Sequence, residues 1–388
     1  MKKALLISCF DWYDTRLAPI RNILNLNYGF DVICVTSDYH HINKQTILNK
    51  NENCLYVHVP AYKKNLSISR IRSHLSFGNS VKRLLDKEKP DLIYLLLPPN
   101  NTAIHCLKYK ELNPSTMLVI DIIDLWPESM PLDRFKSIWL MRYWRDMRDK
   151  ALKKADFVFT ECALYQEKLK PVLVDKNHVQ TLHLFKKTTG EYIENVQKSI
   201  NSRIIKTDAI TLGYVGSINS IVDIAGICDT VLWLRKNYSE VIFHIIGDGS
   251  SREEFLKRVK ETGCDVKYHG KVFDDFSKIS ILGQCDLAFN MMISNISVGL
   301  TIKSIDYFSI GLPLLNNIKG DTWKIVEDYR LGINIDGQNM SKEMLELLRT
   351  ETSHKSVLDY FVKNFTLDSF QHNVEEGLNT ILKEEKNK

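Results

Sequence analysis

The sequence predicts an α/β fold with two doubly wound, Rossmann-like domains and an interdomain cleft. Three observations carry that expectation. Short, nearly uninterrupted apolar runs such as LIYLLLP and VIFHIIG alternate with longer segments of helical period, the pattern of parallel strands covered by helices on both faces. The alternation fades over 186–207, a polar stretch broken at Gly190, and restarts at Ala209. A chain of 388 residues with 44% hydrophobic content holds enough apolar side chains for two cores. The expected limits are 1–185 for the first domain, 186–207 for the connection, 208–353 for the second domain and 354–388 for a charged, amphipathic helical segment.

In chain order, KALLISC reads as the first strand, FDWYDT as a loop, and Arg16 to Asn25 as a helix with Gly29 beyond its end. FDVICVTS completes a β-loop-α-β unit. CLYVHVP, LIYLLLP, MLVIDII and ADFVFTE supply further strands, with helices over 74–88, 100–110, 134–154 and 163–170. MLVIDII runs into a loop holding Asp124, Trp126, Pro127 and Glu128. In the second domain Ala209 to Val215, VIFHIIG, VKYHG and CDLAFNMM are strands, and 222–237, 251–262 and 276–283 are helices.

Composition removes several function classes. A net charge of +5 is mild, and no nucleic-acid recognition motif accompanies it. The cysteines (Cys9, Cys34, Cys54, Cys106, Cys162, Cys228, Cys264, Cys285) form no CxxC and no His/Cys cluster of zinc spacing, so they read as reduced core thiols of a cytoplasmic protein. The apolar run in MKKALLISCFDWYD stops at Asp11, short for a signal peptide, and a buried first strand explains it better. No run of about 18 apolar residues appears.

Ligands of open α/β sheets bind beyond the carboxyl ends of the strands. The candidates there are Asp11 and Arg16, the Asp124–Ser129 loop, Gly216-Ser217, Gly247-Asp248-Gly249 and the stretch SVGLTIKSIDYFSIGLPLLNN, Ser297 to Asn317. Neither glycine pair completes GxGxxG, and no GxxxxGK[ST] is present. In the last stretch Thr301 is placed as an N-cap, Ile302, Ile305 and Phe308 share one face, Gly311 stops the helix, Pro313 follows, and Leu312 to Ile318 reads as a short buried strand. A glycine loop entering a helix N-terminus offers free N–H groups and a positive dipole end to a phosphate. Lys303 adds a cation in the first turn. Asp306, three residues on, lies on roughly the same face and suits a ribose diol. The same spacing suits an ordinary capped helix with a surface Lys–Asp pair. Gly247 and Gly249 read as a tight strand–helix turn, Asp248 as a helix cap, and His244 and His269 as core histidines. Asp124 suits either a cleft role or a loop turn, and Trp126-Pro127 either a ligand-facing wall or a buried aromatic.

GYVGSI, IIGDGS, VKYHGKV, CDLAF and KSIDYFSIGLPLL occur in an order that resembles the C-terminal half of a retaining GT-B glycosyltransferase of family 4, particularly its bacterial capsule and O-antigen members. RLAPIRNILNLNYGFDVICVTS resembles the first helix and second strand of that family, and DLWPES a subgroup signature. The resemblance covers nearly the whole chain. It implies a GT-B fold whose last helix crosses back to the first domain. It implies transfer of a hexosyl or N-acetylhexosaminyl group with retention, without cofactor or bound metal. The donor would be a nucleotide-sugar (UDP-sugar rather than GDP-sugar), and the acceptor a saccharide or undecaprenyl-linked saccharide. Carried over by residue, Asp306 matches the acid that holds the donor ribose, and Lys303 matches the lysine of K-x-x-[ED]-Y near the phosphates. Gly299, Leu300 and Thr301 match the backbone amides on the diphosphate, with Gly216, Ser217, Gly247 and Gly249 on the same donor side. Asp124 falls where relatives place a catalytic-site histidine or aspartate. Asp11, Arg16, Trp126 and Glu128 fall on the acceptor side.

The sequence also departs from that pattern. Val298 stands where an acid that contacts the sugar is usual, Ser217 and Val222 stand near the places of a usual basic pair, and FDWYDT replaces a glycine-rich loop. These departures favour, as the non-enzyme reading, a degenerate partner subunit of another transferase. A nucleotide-sugar epimerase on the same fold would bring acid/base side chains to the cleft, and no such set reads out. Finally, residues 134–154 hold eight Lys/Arg, among them Arg142, Arg145 and Arg148, interleaved with Trp139, Tyr143 and Trp144. That composition suits peripheral contact with an anionic membrane surface, or a solvated helix with its aromatics in the core.

Overall fold

Apolar strand runs must be covered on both faces, and the chain achieves this twice. The computed structural model describes residues 1–11, 14–65, 67–130, 139–173, 178–294, 298–337 and 340–382. It separates into two compact units, Met1–Leu184 together with the chain from Phe370 on, and Phe185–Ser369.

The first unit runs β1 (Lys3–Ile7), α1 (Asp14–Leu26), β2 (Asp31–Ser37), the short pair β3 (Tyr39–His40) and β4 (Gln45–Thr46), β5 (Cys54–Val57), α2 (Ile68–Glu88), β6 (Leu92–Leu97), α3 (Asn100–Leu112), β7 (Met117–Ile122), α4 (Trp139–Lys154), β8 (Phe157–Thr160), α5 (Ala163–Leu169) and β9 (Val179–Thr181). Among the described residues its main sheet has the order β5-β2-β1-β6-β7-β8-β9, with every pairing parallel. Every residue of β6, β7 and β8 is buried, as strands covered on both faces require.

The second unit runs α6 (Gly190–Asn201), β10 (Ala209–Val215), α7 (Ile224–Asn237), β11 (Glu240–Ile246), α8 (Arg252–Glu261), β12 (Asp265–Gly270), α9 (Asp275–Leu282), β13 (Leu287–Asn290), α10 (Ile302–Ser309), β14 (Leu314–Asn316), α11 (Asp321–Tyr329), β15 (Gly332–Asn334), α12 (Lys342–Leu348) and α13 (Glu351–Asn364). Its parallel sheet has the order β12-β11-β10-β13-β14-β15. The final helix, α14 (Leu367–Leu382), starts in this unit and belongs to the first from Phe370 on. There Gly377 sits so close to the Phe159 ring that a Cβ would meet it at 2.6 Å.

Four local expectations change. The polar stretch 186–207 is not irregular: Thr189 caps the Tyr192 amide, and α6 buries Tyr192, Val196 and Ile200. Its apolar residues recur at i and i+4, a stripe that its polar composition masks. The helical segment expected from 354 begins at 351 and breaks between α13 and α14, with 383–386 outside the described residues. His244 and His269 are not core residues. They stack on each other at 5.2 Å on the neighbouring strands β11 and β12, with His269 exposed. Asp248 does not cap α8, whose N-cap is Ser251. Its carboxylate instead accepts from the Gly249 amide at 2.8 Å and pairs with Arg252 and Lys271.

Arg16 is also corrected. It does not face an acceptor but lies in the core of the first unit. Asp121, in the middle of β7, is fully buried, and a carboxylate so placed demands a cation and hydrogen bonds. Arg16 meets it with Nε at 2.8 Å and Nη2 at 3.0 Å, and Tyr94 donates at 2.8 Å. Nη1 and Nη2 also donate to the carbonyls of His183 and Leu182. Four of its five N–H donors are thus held by described residues and the side chain is buried, which commits it to structure. Replacing Arg16 by Met leaves Asp121 buried and uncompensated, a loss of about 3–5 kcal/mol. Urea unfolding of Arg16→Met, followed by the fluorescence of the chain's tryptophans, is expected to show that loss.

Candidate functional site

The order of the second sheet reverses between β10 and β13. Such a switch point opens a crevice at the carboxyl edge. Gly216 and Ser217 follow β10, and α10 follows β13, so both flank it.

Glycines make one wall. Gly216 has φ +135° and Gly247 φ +145°, and a Cβ on Gly247 would lie 1.9 Å from the Gly216 carbonyl oxygen. A Cβ on Gly249 would lie 2.2 Å from that of Ile218. Only glycine permits these two backbones to touch. The contact is fixed by Gly216 N–H on Ile246 O, Ile218 N–H on Asp248 O and Ser251 N–H on Ile218 O, each at 3.0 Å. Ser217 remains exposed at the tip.

Helix α10 makes the other wall. Thr301 is its N-cap, accepting from the Ser304 amide at 3.0 Å, while the N–H groups of Ile302 and Lys303 end the helix without an intrahelical acceptor. Gly299 is held by its carbonyl, which accepts from the Thr322 amide and hydroxyl, and Leu300 is buried. Ser297 lies outside the described residues. The buried face differs from the Ile302-Ile305-Phe308 stripe that spacing suggests. Ile302 is 66% exposed, and Ser304, Ile305, Tyr307 and Phe308 point inward. The Tyr307 hydroxyl sets this rotation by donating to Phe289 O at 3.0 Å and accepting from Val215 N–H at 2.9 Å.

That rotation brings Lys303 to the glycine wall. Its Cε would lie 3.1 Å from a Cβ on Gly216, and its Nζ sits 4.4 Å from the Tyr214 ring centroid and 3.3 Å from the Tyr214 hydroxyl. No carboxylate of a described residue pairs with it, and burial pulls its pKa down to about 8. A cation without a counter-charge beside two converging backbone loops is suited to an anion.

Lys303 and Asp306 do not pair. Asp306 accepts from Lys186 at 3.0 Å, and Lys186 also meets Asp275 at 3.2 Å and lies over the Tyr192 ring at 5.1 Å. Burial is the largest single influence on the Lys186 pKa and works to lower it, but Asp306, Tyr192 and Asp275 together outweigh it, so the net shift is upward. Lys186 went unread because it falls in the polar stretch before α6, with nothing in sequence to link it to position 306.

In the first unit Asp124 follows β7. Its amide donates to Leu97 O at 3.4 Å, and its carbonyl accepts from Trp126 N–H at 2.9 Å, so the backbone turns there. Its carboxylate makes no hydrogen bond to a described residue. Burial pushes its pKa up to about 6, with the Arg70 charge pulling the other way. Arg70 is buried against three rings, with its Cζ 4.6 Å from that of Trp126, 5.7 Å from Tyr62 and 5.8 Å from Phe10. His74 is buried with neither ring nitrogen partnered by a described residue, and burial with the Arg70 charge holds its pKa down to about 3. Arg70 and His74 lie on the buried face of α2 and carry no motif, so sequence reading missed them. Asp11 keeps Oδ1 unpartnered, with Oδ2 3.7 Å from His40, while residues 12 and 13 of its loop lie outside the described residues.

Two acceptor-side expectations are corrected here. Trp126 is not a wall. It is 9% exposed and packs on Phe10, His74 and Trp144. Glu128 is committed to the buried Arg148, whose Nη1 and Nη2 reach its oxygens at 2.8 and 2.9 Å. The same contact removes Arg148 from the surface of α4. The aromatics there divide. Trp139 is 70% and Tyr143 56% exposed, whereas Trp144 is half-buried against Trp126. Residues 134–138 lie outside the described residues. No described helix is long and apolar enough to cross a membrane, and the described His, Cys, Asp and Glu side chains form no group of three or more that could hold a metal ion.

No protein-family model and no curated protein sequence matches the chain. Solved structures do. Sucrose-phosphate synthase from Thermosynechococcus elongatus superposes with a TM-score of 0.66 at 12% identity, covering 99% of this chain and 100% of that one. The lipopolysaccharide outer core galactosyltransferase WaaB, in its apo form, gives 0.66 at 13% identity, with 98% and 99% covered. Anabaena Alr3699/HepE, in complex with UDP and glucose, gives 0.61 at 12% identity, with 98% and 100% covered. At these identities the likeness establishes the fold, which is GT-B with two Rossmann-like domains.

The position of Lys303 sets two opposed pH trends. Below pH 8 folded and unfolded chains both carry the charge, and burying it costs stability. Between 8 and the ordinary 10.5 the folded chain has released a proton that the unfolded chain keeps, so this penalty shrinks as pH rises. Anion affinity falls over the same rise, because the cation is lost. Lys303→Met is expected to unfold at higher temperature than the wild type at neutral pH, and to bind inorganic diphosphate, the anion probe, about ten- to hundredfold more weakly. Differential scanning fluorimetry and calorimetric titration at pH 7 and pH 9 check both. A second expectation concerns Gly247→Ala, which forces the two glycine loops apart and lowers diphosphate affinity in the same titration.

Proposed function

We propose that the protein is a retaining, family 4-type glycosyltransferase of bacterial surface polysaccharide synthesis. It moves a hexosyl or N-acetylhexosaminyl group from a nucleotide-sugar, a UDP-sugar in preference to a GDP-sugar, to a saccharide or undecaprenyl-linked acceptor. The observation that carries this reading is Lys303, a cation without a carboxylate partner, set between the α10 N-terminus and the Gly216–Gly247 backbone contact. The GT-B fold and the ordered motifs of the second half support it.

In this reading the diphosphate lies against Gly216, Ser217, Gly247, Gly249 and the amides of Gly299 to Thr301, and Asp306 accepts from the ribose. The bond from the anomeric carbon to the phosphate oxygen breaks while the acceptor oxygen bonds to that carbon on the same face. The acceptor proton passes to the departing phosphate, so no separate base is required. Lys303 and the helix-end amides stabilise the charge that develops on the leaving group. Asp124, after β7, and Asp11, after β1, lie at the carboxyl edge of the first unit's sheet, and both are assigned to the acceptor side. The exposed Trp139 and Tyr143 on α4, with Arg142 and Arg145, are suited to an anionic membrane surface, where a lipid-linked acceptor resides.

Incubation with UDP-, GDP- and CMP-sugars and lipid-linked acceptors, read as nucleotide release, is expected to show turnover with one donor. Turnover with none, despite nucleotide binding, identifies a partner subunit, the role that Val298 favours. Interconversion of donor without acceptor identifies an epimerase. Asp306→Ala is expected to weaken nucleotide binding about tenfold or more, and unchanged affinity removes the ribose assignment. Liposome sedimentation on vesicles with anionic lipid is expected to lose protein from the pellet in Trp139→Ala and in the double variant Arg142→Glu, Arg145→Glu. Arg148 is left intact because its role is internal.

A further inference from the structure

Asp306 is not a free carboxylate. Its Oδ1 is held by Lys186 at 3.0 Å, and its side chain is 24% exposed, with no described residue bound to Oδ2. Beyond Asp306, Lys186 is itself fixed by three contacts. Its amide donates to Phe365 O at 2.9 Å. Its ammonium bridges to Asp275 at the start of α9 at 3.2 Å. It lies over the Tyr192 ring of α6 at 5.1 Å, and the Tyr192 hydroxyl meets Ser309 of α10 at 2.8 Å. Ser309 in turn donates to the Asp306 carbonyl at 2.7 Å. The carboxylate is therefore clamped through one oxygen by a cation that cannot follow it into solvent.

We infer that Lys186 is a positioning residue for nucleotide recognition: it commits Oδ1 of Asp306 and aims Oδ2 at the ribose hydroxyls, and so sets the preference for a ribonucleotide. The inference rests on the ribose role of Asp306 proposed above. An aspartate on an eight-residue helix has two rotatable bonds, and without a clamp its carboxylate turns freely about the second. Ordering it at the moment of binding costs affinity, and an acceptor held in place beforehand does not pay that entropy. Lys186 performs the ordering in the free protein. It also gives the Asp306 carboxylate a counter-charge at 3.0 Å. Asp275 has the second share of the ammonium and lies at a helix N-terminus, where a carboxylate is favourable by itself.

The consequence is a separation between loss of the acid and loss of its orientation. Removing Asp306 removes the acceptor. Removing Lys186 keeps the acceptor but frees it, so the protein still binds nucleotide and discriminates poorly among sugars of the nucleoside. The phosphate half of the site, built on Lys303 and the glycine loops, is untouched by either change.

Calorimetric titration with UDP and GDP, and with the 2′,3′-dideoxy analogue of whichever binds, tests this. The wild type is expected to prefer the ribonucleotide by about tenfold or more, as a hydrogen bond to a charged acceptor implies. In Lys186→Met that preference is expected to fall to about twofold or less, while affinity for the dideoxy analogue changes little. Lys186→Arg, which restores a donor to Oδ1, is expected to recover most of it. Circular dichroism and unfolding midpoints show whether each variant is folded. Lys186→Gln, which keeps a neutral donor, replaces Lys186→Met if the latter does not fold. A purely structural lysine lowers the unfolding midpoint and leaves the preference intact, which overturns the inference while leaving the ribose role of Asp306 standing. No preference in the wild type, or no binding of either nucleotide, overturns the inference together with the donor-site reading.

Discussion

The candidate site of the second unit depends on a buried run of amide and hydroxyl side chains at the carboxyl edge of its sheet. Asn290 ends β13 and donates to Ser304 Oγ at 3.1 Å and to Asn316 Oδ1 at 2.9 Å. Asn316 ends β14 and donates to Asn334 of β15 at 2.8 Å and to Ile318 O at 3.1 Å. The Thr301 hydroxyl, which caps α10, meets Ser304 Oγ at 2.7 Å. Three strand ends and one helix start are thus joined through groups that would be costly to bury alone. The network fixes where α10 begins and, together with the Tyr307 hydroxyl on Phe289 O and Val215 N–H, how it is rotated. That rotation exposes Ile302, buries Tyr307, lays Lys303 against Gly216 and turns Asp306 toward Lys186.

Charges divide into two groups on the same physical test, whether a buried ion has a partner. Arg16 with Asp121, Glu128 with Arg148, and Asp286 with Arg203 and Arg349 are paired at 2.7–3.3 Å, and they join elements. Lys303, Asp124 and Arg70 have no such partner among the described residues. The first group reads as structure and the second as site. The pKa shifts follow the same division. Burial dominates at Lys303 and Asp124, where an opposing charge is absent or more distant. Of the four acceptor-side expectations, Arg16 and Glu128 fall into the paired group, and Trp126 is packed among aromatic rings. Asp11 alone keeps an unpartnered carboxylate oxygen.

Much of the second unit is legible residue by residue. Thr301 as N-cap and Gly311 as the stop, with φ +70°, are found where capping chemistry places them. Gly216, Gly247 and Gly249 are glycines because backbones meet there. The rotation of α10 is less legible. An Ile-x-x-Ile-x-x-Phe spacing is compatible with two faces one residue apart, and the choice is made by the Tyr307 hydroxyl and by Ser304, polar groups that hydropathy counts against burial. Helix α6 escapes notice for the same reason, since its three buried residues are separated by charged and polar neighbours.

What the sequence determined by itself was periodicity and punctuation: continuous apolar runs for doubly covered strands, helical spacing between them, and glycines and caps at their ends. These are local properties, so they fix fold class, the order of elements and the edge at which ligands bind. The tertiary structure decided which charges are partnered. Lys186 and Asp306 are 120 positions apart, and Arg16 and Asp121 are 105 apart. No local pattern encodes either pair. Each forms because burial makes an isolated charge costly, and the fold supplies whichever opposite charge it brings within reach.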